Sequence, residues 1–181
     1  MRRQAGAAQI TAMSDAVSPE SGPIPAGPAL CRDLPDLAAT AALAAALAAL
    51  ARPGDVILLD GPFGAGKTAL ARAFLRAASA DPGLEVPSPS FTLLQSYDTR
   101  IGPVHHFDLW RLNGPEALTE LGWDEARAGI VLAEWPQRLG AQRPPEALEV
   151  RLSPLAGEAR RVMLSGWPDR MPLLRRWGAA P

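Results

Sequence analysis

Eight consecutive residues concentrate the chemistry of this chain: Gly61-Pro62-Phe63-Gly64-Ala65-Gly66-Lys67-Thr68. Gly61, Gly66, Lys67 and Thr68 fit the spacing G-x-x-x-x-G-K-[ST] of a phosphate-binding loop. Each residue type answers a need of a bound polyphosphate. Glycines at 61, 64 and 66 tolerate positive φ and let backbone N–H groups approach phosphate oxygens, with Ala65 and Ala69 adding further amides. Lys67 offers an ammonium to the β- and γ-phosphates. Thr68 offers a hydroxyl to Mg²⁺, a cation that takes oxygen ligands in octahedral geometry. A helix beginning at Lys67 would aim its N-terminus at the same anion. Composition singles out the same position: of 18 basic residues 17 are arginine, and the one lysine is Lys67. The loop therefore predicts binding of a nucleoside triphosphate with magnesium.

A hydrolase of this kind holds its metal with a second acid at the end of a neighbouring buried strand. Glu134 closes Ile130-Val131-Leu132-Ala133 in that way. Asp108 lies in His105-His106-Phe107-Asp108-Leu109-Trp110-Arg111-Leu112. If that run is a strand, His106, Asp108 and Trp110 share one face, and Asp108 can position water or join the metal's outer shell. The candidate catalytic residues are thus Lys67, Asp108 and Glu134, and the candidate metal ligands Thr68 and Glu134. Asp60, also close to the loop, reads as structural. His105 and His106 are the only histidines. Adjacent strand residues point apart, so His106 reads as a hydrogen-bonding partner rather than a zinc ligand. Ser88-Pro89-Ser90-Phe91-Thr92 fits either a loop that senses a γ-phosphate or an ordinary Ser-Pro turn into a strand. The five tryptophans are scattered without basic clusters between them, which favours packing over nucleic-acid stacking.

The elements that must hold these residues follow from pattern. Asp36 to Ala51 reads as a helix stopped by Arg52-Pro53-Gly54. Asp55 to Asp60 reads as a buried parallel strand, and Lys67 to Ala80 as the helix after the loop. Strands are expected over Phe91 to Tyr97, Val104 to Leu112, Gly129 to Glu134, Ala147 to Leu152 and Arg160 to Leu164, with a short helix after Asn113. The fold class is α/β: a P-loop sheet, mixed parallel and antiparallel, flanked by helices. Residues 1–30, rich in Ala, Gly, Pro and Ser, are expected to form a disordered tail. The domain is expected over 31–166, and 167–181 as a C-terminal tail able to form a short helix. With a net charge of −1, bulk electrostatics do not by themselves point to a nucleic-acid or membrane partner, which leaves a local basic patch open. One cysteine, Cys31, and no apolar run of membrane-spanning length suggest a cytoplasmic protein.

Beyond the loop, three segments occur in a distinctive order: Ser88-Pro89-Ser90-Phe91-Thr92-Leu93, His106-Phe107-Asp108-Leu109-Trp110-Arg111 and Glu134-Trp135-Pro136. With Glu120-Leu121-Gly122 between the last two, they resemble the TsaE family, the P-loop ATPases of bacterial tRNA threonylcarbamoyladenosine synthesis. The resemblance runs over residues 34–164. It implies ATP and Mg²⁺ as cofactors and ATP hydrolysis that is weak in isolation. It also implies the partner proteins TsaD and TsaB, with tRNA reached indirectly through that complex. It assigns Mg²⁺ to Thr68 and Glu134, a catalytic or switch role to Asp108, and a place beside the nucleotide to Trp135. Thr40 falls in the segment near the base, and either Arg160 or Arg161 matches a late arginine near ATP. Pro62-Phe63 stands where many members have an acid and a leucine, Ser90 where threonine is common, Trp110 where tyrosine is, and Gln137 where glutamate is. A small-molecule kinase and a non-catalytic, nucleotide-gated binding subunit share the loop and remain alternatives. A GTPase is disfavoured, because its Asn-Lys-x-Asp motif needs a second lysine.

Overall fold

A computed structural model describes residues 29–114 and 116–177 of the chain. The predicted N-terminal tail lies outside the described residues except for Ala29 and Leu30, which open a strand. That strand, β1 (Ala29–Leu34), leads through Asp36 into α1 (Leu37–Leu50). The Asp36 carboxylate accepts the Ala39 N–H at 2.7 Å, so a short polar side chain starts the helix as a cap. The run then continues through β2 (Val56–Asp60) and α2 (Lys67–Ser79), β3 (Leu94–Thr99) and β4 (Gly102–Asp108), and the short α3 (Glu116–Glu120) and α4 (Trp123–Ala126). It ends with β5 (Ile130–Glu134), a 3₁₀ segment over Pro136–Gln142, β6 (Leu148–Pro154), β7 (Arg160–Ser165) and α5 (Met171–Arg176).

The strands form one seven-stranded sheet in the order β1-β7-β6-β2-β5-β4-β3. Pairing is parallel for β6/β2, β2/β5 and β5/β4, and antiparallel at both margins. β2 and β5 are buried at every position. This is why their sequences are unbroken apolar runs: a parallel strand is covered on both faces. On one face α1 and α2 pack through Leu43, Leu47, Leu70 and Phe74 onto Ile57, Leu59 and Leu132. On the other, Leu118, Trp123 and Leu139 cover Leu58, Phe107 and Val131.

Register decides where the polar residues emerge. Asp108 pairs with Glu134, and Glu134 with Leu59, so β4 and β5 end level with the C-terminal end of β2, where Asp60 sits. Ligands of open parallel sheets gather at such carboxyl ends. No helix among the described residues is long and apolar enough to cross a membrane.

Two strand expectations need correction. The segment at Phe91 remains irregular, and β3 begins only at Leu94. Leu93 adopts a left-handed φ of 62°, and its N–H closes a turn onto the Pro89 carbonyl at 2.6 Å. The strand expected to run to Leu112 ends at Asp108. The chain then turns, with the Leu109 N–H donating to the Glu134 carbonyl and the Leu112 N–H to the Leu109 carbonyl. Trp110 is therefore not on a strand face with Asp108.

At the other end, Trp167, Met171 and Leu174 are buried in the same core as α1. Leu174 is 0% exposed, so Leu174→Ala should lower unfolding free energy by about 2–5 kcal/mol. Denaturant unfolding checks this, and a value near zero would mark residues 167–177 as an appendage.

Candidate nucleotide-binding site

The loop between β2 and α2 is shaped by its glycines. Gly61 has φ 140°, and a Cβ there would collide with the Leu152 carbonyl oxygen of the adjacent strand β6. Gly66 has φ 101°, and a Cβ there would lie 3.2 Å from Arg160 Nε. Both positions hold a conformation that L side chains avoid, and Gly61 lacks the space for one as well. Asp60 braces the loop's entry. One carboxylate oxygen accepts the Gly61 N–H at 2.8 Å, and the other accepts Arg151 Nε at 2.9 Å.

Lys67 is folded back into this loop. Its Nζ donates to the Gly61 and Pro62 carbonyls at 2.7 and 2.8 Å and lies 3.7 Å from the centre of the Trp135 ring. Burial pushes the Lys67 pKa down, while the carboxylates of Glu134, Asp108 and Asp60 push it back up. Trp135 holds a left-handed backbone, φ 61° and ψ 54°, immediately after β5. For a bulky residue this costs roughly 1–3 kcal/mol, and such strain is retained where surrounding contacts fix it. Here those contacts are the Lys67 ammonium and the Trp110 ring, whose centre is 4.4 Å away.

The acids meet the loop as the register dictates. Thr68, in the first turn of α2, donates its hydroxyl between the two Glu134 oxygens, at 2.8 and 3.1 Å. His106 Nε2 lies 3.0 Å from Glu134 Oε1. Asp108 accepts Ser90 and Ser88 hydroxyls on one oxygen, at 2.9 and 3.3 Å, and the Trp110 N–H on the other at 3.2 Å. A cavity of about 360 Å³ opens among Gly66, Lys67, Thr68, Ser90, Asp108 and Glu134. The serines of the Ser-Pro segment thus join the site, a link that the local sequence left undecided.

The two late arginines separate. Successive residues of β7 point to opposite faces. Arg160 reaches the loop, donating to the Thr40 hydroxyl at 3.0 Å beside Gly66. Arg161 points away and makes a two-pronged pair with exposed Asp33 at 2.7 and 2.9 Å. Of the two arginines left open by the sequence, Arg160 is the one whose side chain reaches the loop, while Arg161 lies on the opposite face. Strand alternation could have separated the two, had the register of β7 against the loop been known. Thr40 is buried on α1 and borders a second cavity of about 720 Å³ between α1 and α2, which shares Ala69 with the first.

The donor set fits a magnesium nucleotide. A hydroxyl and a carboxylate converge within hydrogen-bonding distance, both oxygen donors of the type Mg²⁺ takes. A buried ammonium stands beside them on a loop with no room for a side chain at Gly61. Sheet order, loop and helix N-terminus together define a P-loop protein of the nucleoside-triphosphate-binding class. Within that class the chain belongs to the TsaE family: the family model described as "Threonylcarbamoyl adenosine biosynthesis protein TsaE" matches residues 34–162. It is 38% identical over 117 residues to the tRNA threonylcarbamoyladenosine biosynthesis protein TsaE of Rickettsia felis, covering 64% of this chain and 68% of that one. With the protein of the same name from Bacillus subtilis it shares 31% identity over 137 residues, 75% of this chain and 84% of the relative. The crystal structure of YdiB from Bacillus subtilis superposes with a TM-score of 0.66 at 27% identity, covering 83% of this chain and 93% of that one.

Gly61→Ala tests the loop's steric demand. Backbone strain alone should cost about 1–3 kcal/mol, with the Leu152 clash adding to it. We expect a lowered melting temperature together with lost ATP binding, and an unchanged melting temperature would contradict the geometry.

Proposed function

We propose that this chain is the ATP-hydrolysing subunit that works with TsaD and TsaB in threonylcarbamoylation of tRNA at the adenosine beside the anticodon. The observation that carries the proposal is the convergence of Lys67, Thr68 and Glu134 at the P-loop, in a chain of the TsaE family. The proposed setting is the cytoplasm, with tRNA reached through the partner complex.

Backbone N–H groups from Gly64 to Ala69 would cradle the phosphates, and Lys67 would exchange its loop carbonyls for phosphate oxygens. Charge developing on the γ-phosphate is then met by an ammonium already desolvated, which makes it worth more than in water. Thr68 and Glu134 would hold the magnesium ion. Magnesium, when bound, neutralises the β- and γ-phosphate oxygens. Asp108 faces the same cavity with a carboxylate fixed on both oxygens, suited to orient a water in line with the phosphorus and to accept its proton. The Ser88 and Ser90 hydroxyls tie that carboxylate to the loop before β3, so a change at the γ-phosphate can be passed to Phe91, which is 85% exposed. The base would lie towards Thr40, in the cavity between α1 and α2.

Purified protein should hydrolyse ATP slowly alone and several-fold faster with TsaD and TsaB, with the gain abolished in Lys67→Ala. A rate unaffected by the partners would defeat the proposal. Arg160→Gln should weaken ATP binding roughly tenfold, as expected for one lost charged hydrogen bond, whereas Arg161→Gln should leave it unchanged. Equal effects in a calorimetric titration would reject the assignment of Arg160.

A further inference from the structure

We propose that His106 is a positioning residue: it holds the Glu134 carboxylate in the orientation a magnesium ion requires. The inference rests on the assignment of Thr68 and Glu134 to the metal.

The imidazole is 0% exposed, and its Nε2 contacts Glu134 Oε1 at 3.0 Å. Its other nitrogen, Nδ1, has no hydrogen-bond partner among the described residues. A buried polar group is ordinarily satisfied on all sides, so a histidine held fully inside with one polar contact commits that contact to a single task. An ionised carboxylate only accepts, which puts a hydrogen on Nε2.

Glutamate needs this help more than a shorter acid would. It has three rotatable bonds, sits on the last residue of β5 and faces an open cavity. The carboxylate is gripped from two directions: His106 of β4 holds Oε1, and Thr68 of α2 bridges Oε1 and Oε2. A metal held by the Thr68 oxygen would draw on that side of the carboxylate, so a second hold from another direction is needed to fix its orientation. The His106 contact, on the sheet side, is that hold and keeps the carboxylate aimed at the cavity. Groups that orient a metal-holding carboxylate in this way govern metal affinity without touching the metal.

The test is calorimetric titration of the full chain with the β,γ-imido analogue of ATP, with and without Mg²⁺. The readout is the factor by which Mg²⁺ tightens binding. His106→Leu should reduce that factor roughly tenfold to a hundredfold while leaving metal-free affinity intact. His106→Gln should restore it, because the glutamine amide nitrogen stands as many bonds from the backbone as Nε2. His106→Asn, with its donor one bond short, should not. Should His106→Leu fail to fold, the Gln and Asn pair decides alone. Full magnesium tightening in His106→Leu, equal behaviour of Gln and Asn, or a parallel loss of metal-free affinity would each overturn the proposal. Glu134→Gln separates this inference from its premise. If it too retains magnesium tightening, the metal assignment has failed. If it loses tightening while the His106 variants keep it, only the role of His106 has failed.

Discussion

The contact between the Thr68 hydroxyl and the Glu134 carboxylate, 2.8 Å long, is the point on which the site converges. It joins residues 66 positions apart in sequence, one in the first turn of a helix and one on the last residue of a strand. It forms because β5 lies beside β2, in a register that brings Glu134 level with Leu59 just before the loop. A slip of one residue would turn Glu134 to the opposite face, towards Trp123 and Leu139, and leave α2 facing an alanine. The apolar runs of β2 and β5, buried at every position, therefore set the chemistry as well as the core.

The site gathers several buried charges in one place. Lys67, Asp60, Asp108 and Glu134 are all buried, and buried charge is tolerated only when paired and hydrogen-bonded. Each has its partners: loop carbonyls for Lys67, Arg151 for Asp60, serines for Asp108, and Thr68 with His106 for Glu134. Two backbone positions, Leu93 and Trp135, take left-handed conformations that neither side chain favours. Both border the cavity-lining residues, one before β3 and one after β5. Left-handed non-glycine backbone also occurs at Ala80 and Trp167, away from the cavity at the phosphate loop, so it is the cluster of buried charge that marks the site.

Much of this was legible in the residues themselves. The loop spacing, the lone lysine and the apolar runs specified β2, α2 and β5 almost to the residue, because local pattern and tertiary role agree there. Where they conflict, local pattern misleads. Phe91 and Leu109 to Leu112 have strand-like composition, but the turn at Leu93 and the bond from Leu109 N–H to Glu134 carry the chain off the sheet. β1 lies hidden beside a Pro-rich segment, an edge strand paired in the sheet only with β7. Asp108's serine partners and Arg160's approach to Gly66 depend on register between distant strands, which no local window contains. Adjacent arginines are equivalent in sequence and opposite in space.

The central claim is that one magnesium nucleotide binds where Lys67, Thr68 and Glu134 converge. A crystal structure of the protein with Mg²⁺ and a non-hydrolysable ATP analogue tests it most directly. The account predicts the triphosphate in the Gly61–Thr68 loop, Lys67 Nζ moved from the loop carbonyls onto phosphate oxygens, and a metal about 2.0–2.1 Å from the Thr68 hydroxyl on the Glu134 side. Nucleotide bound elsewhere, or Lys67 still on the Gly61 and Pro62 carbonyls with the loop filled, would contradict it.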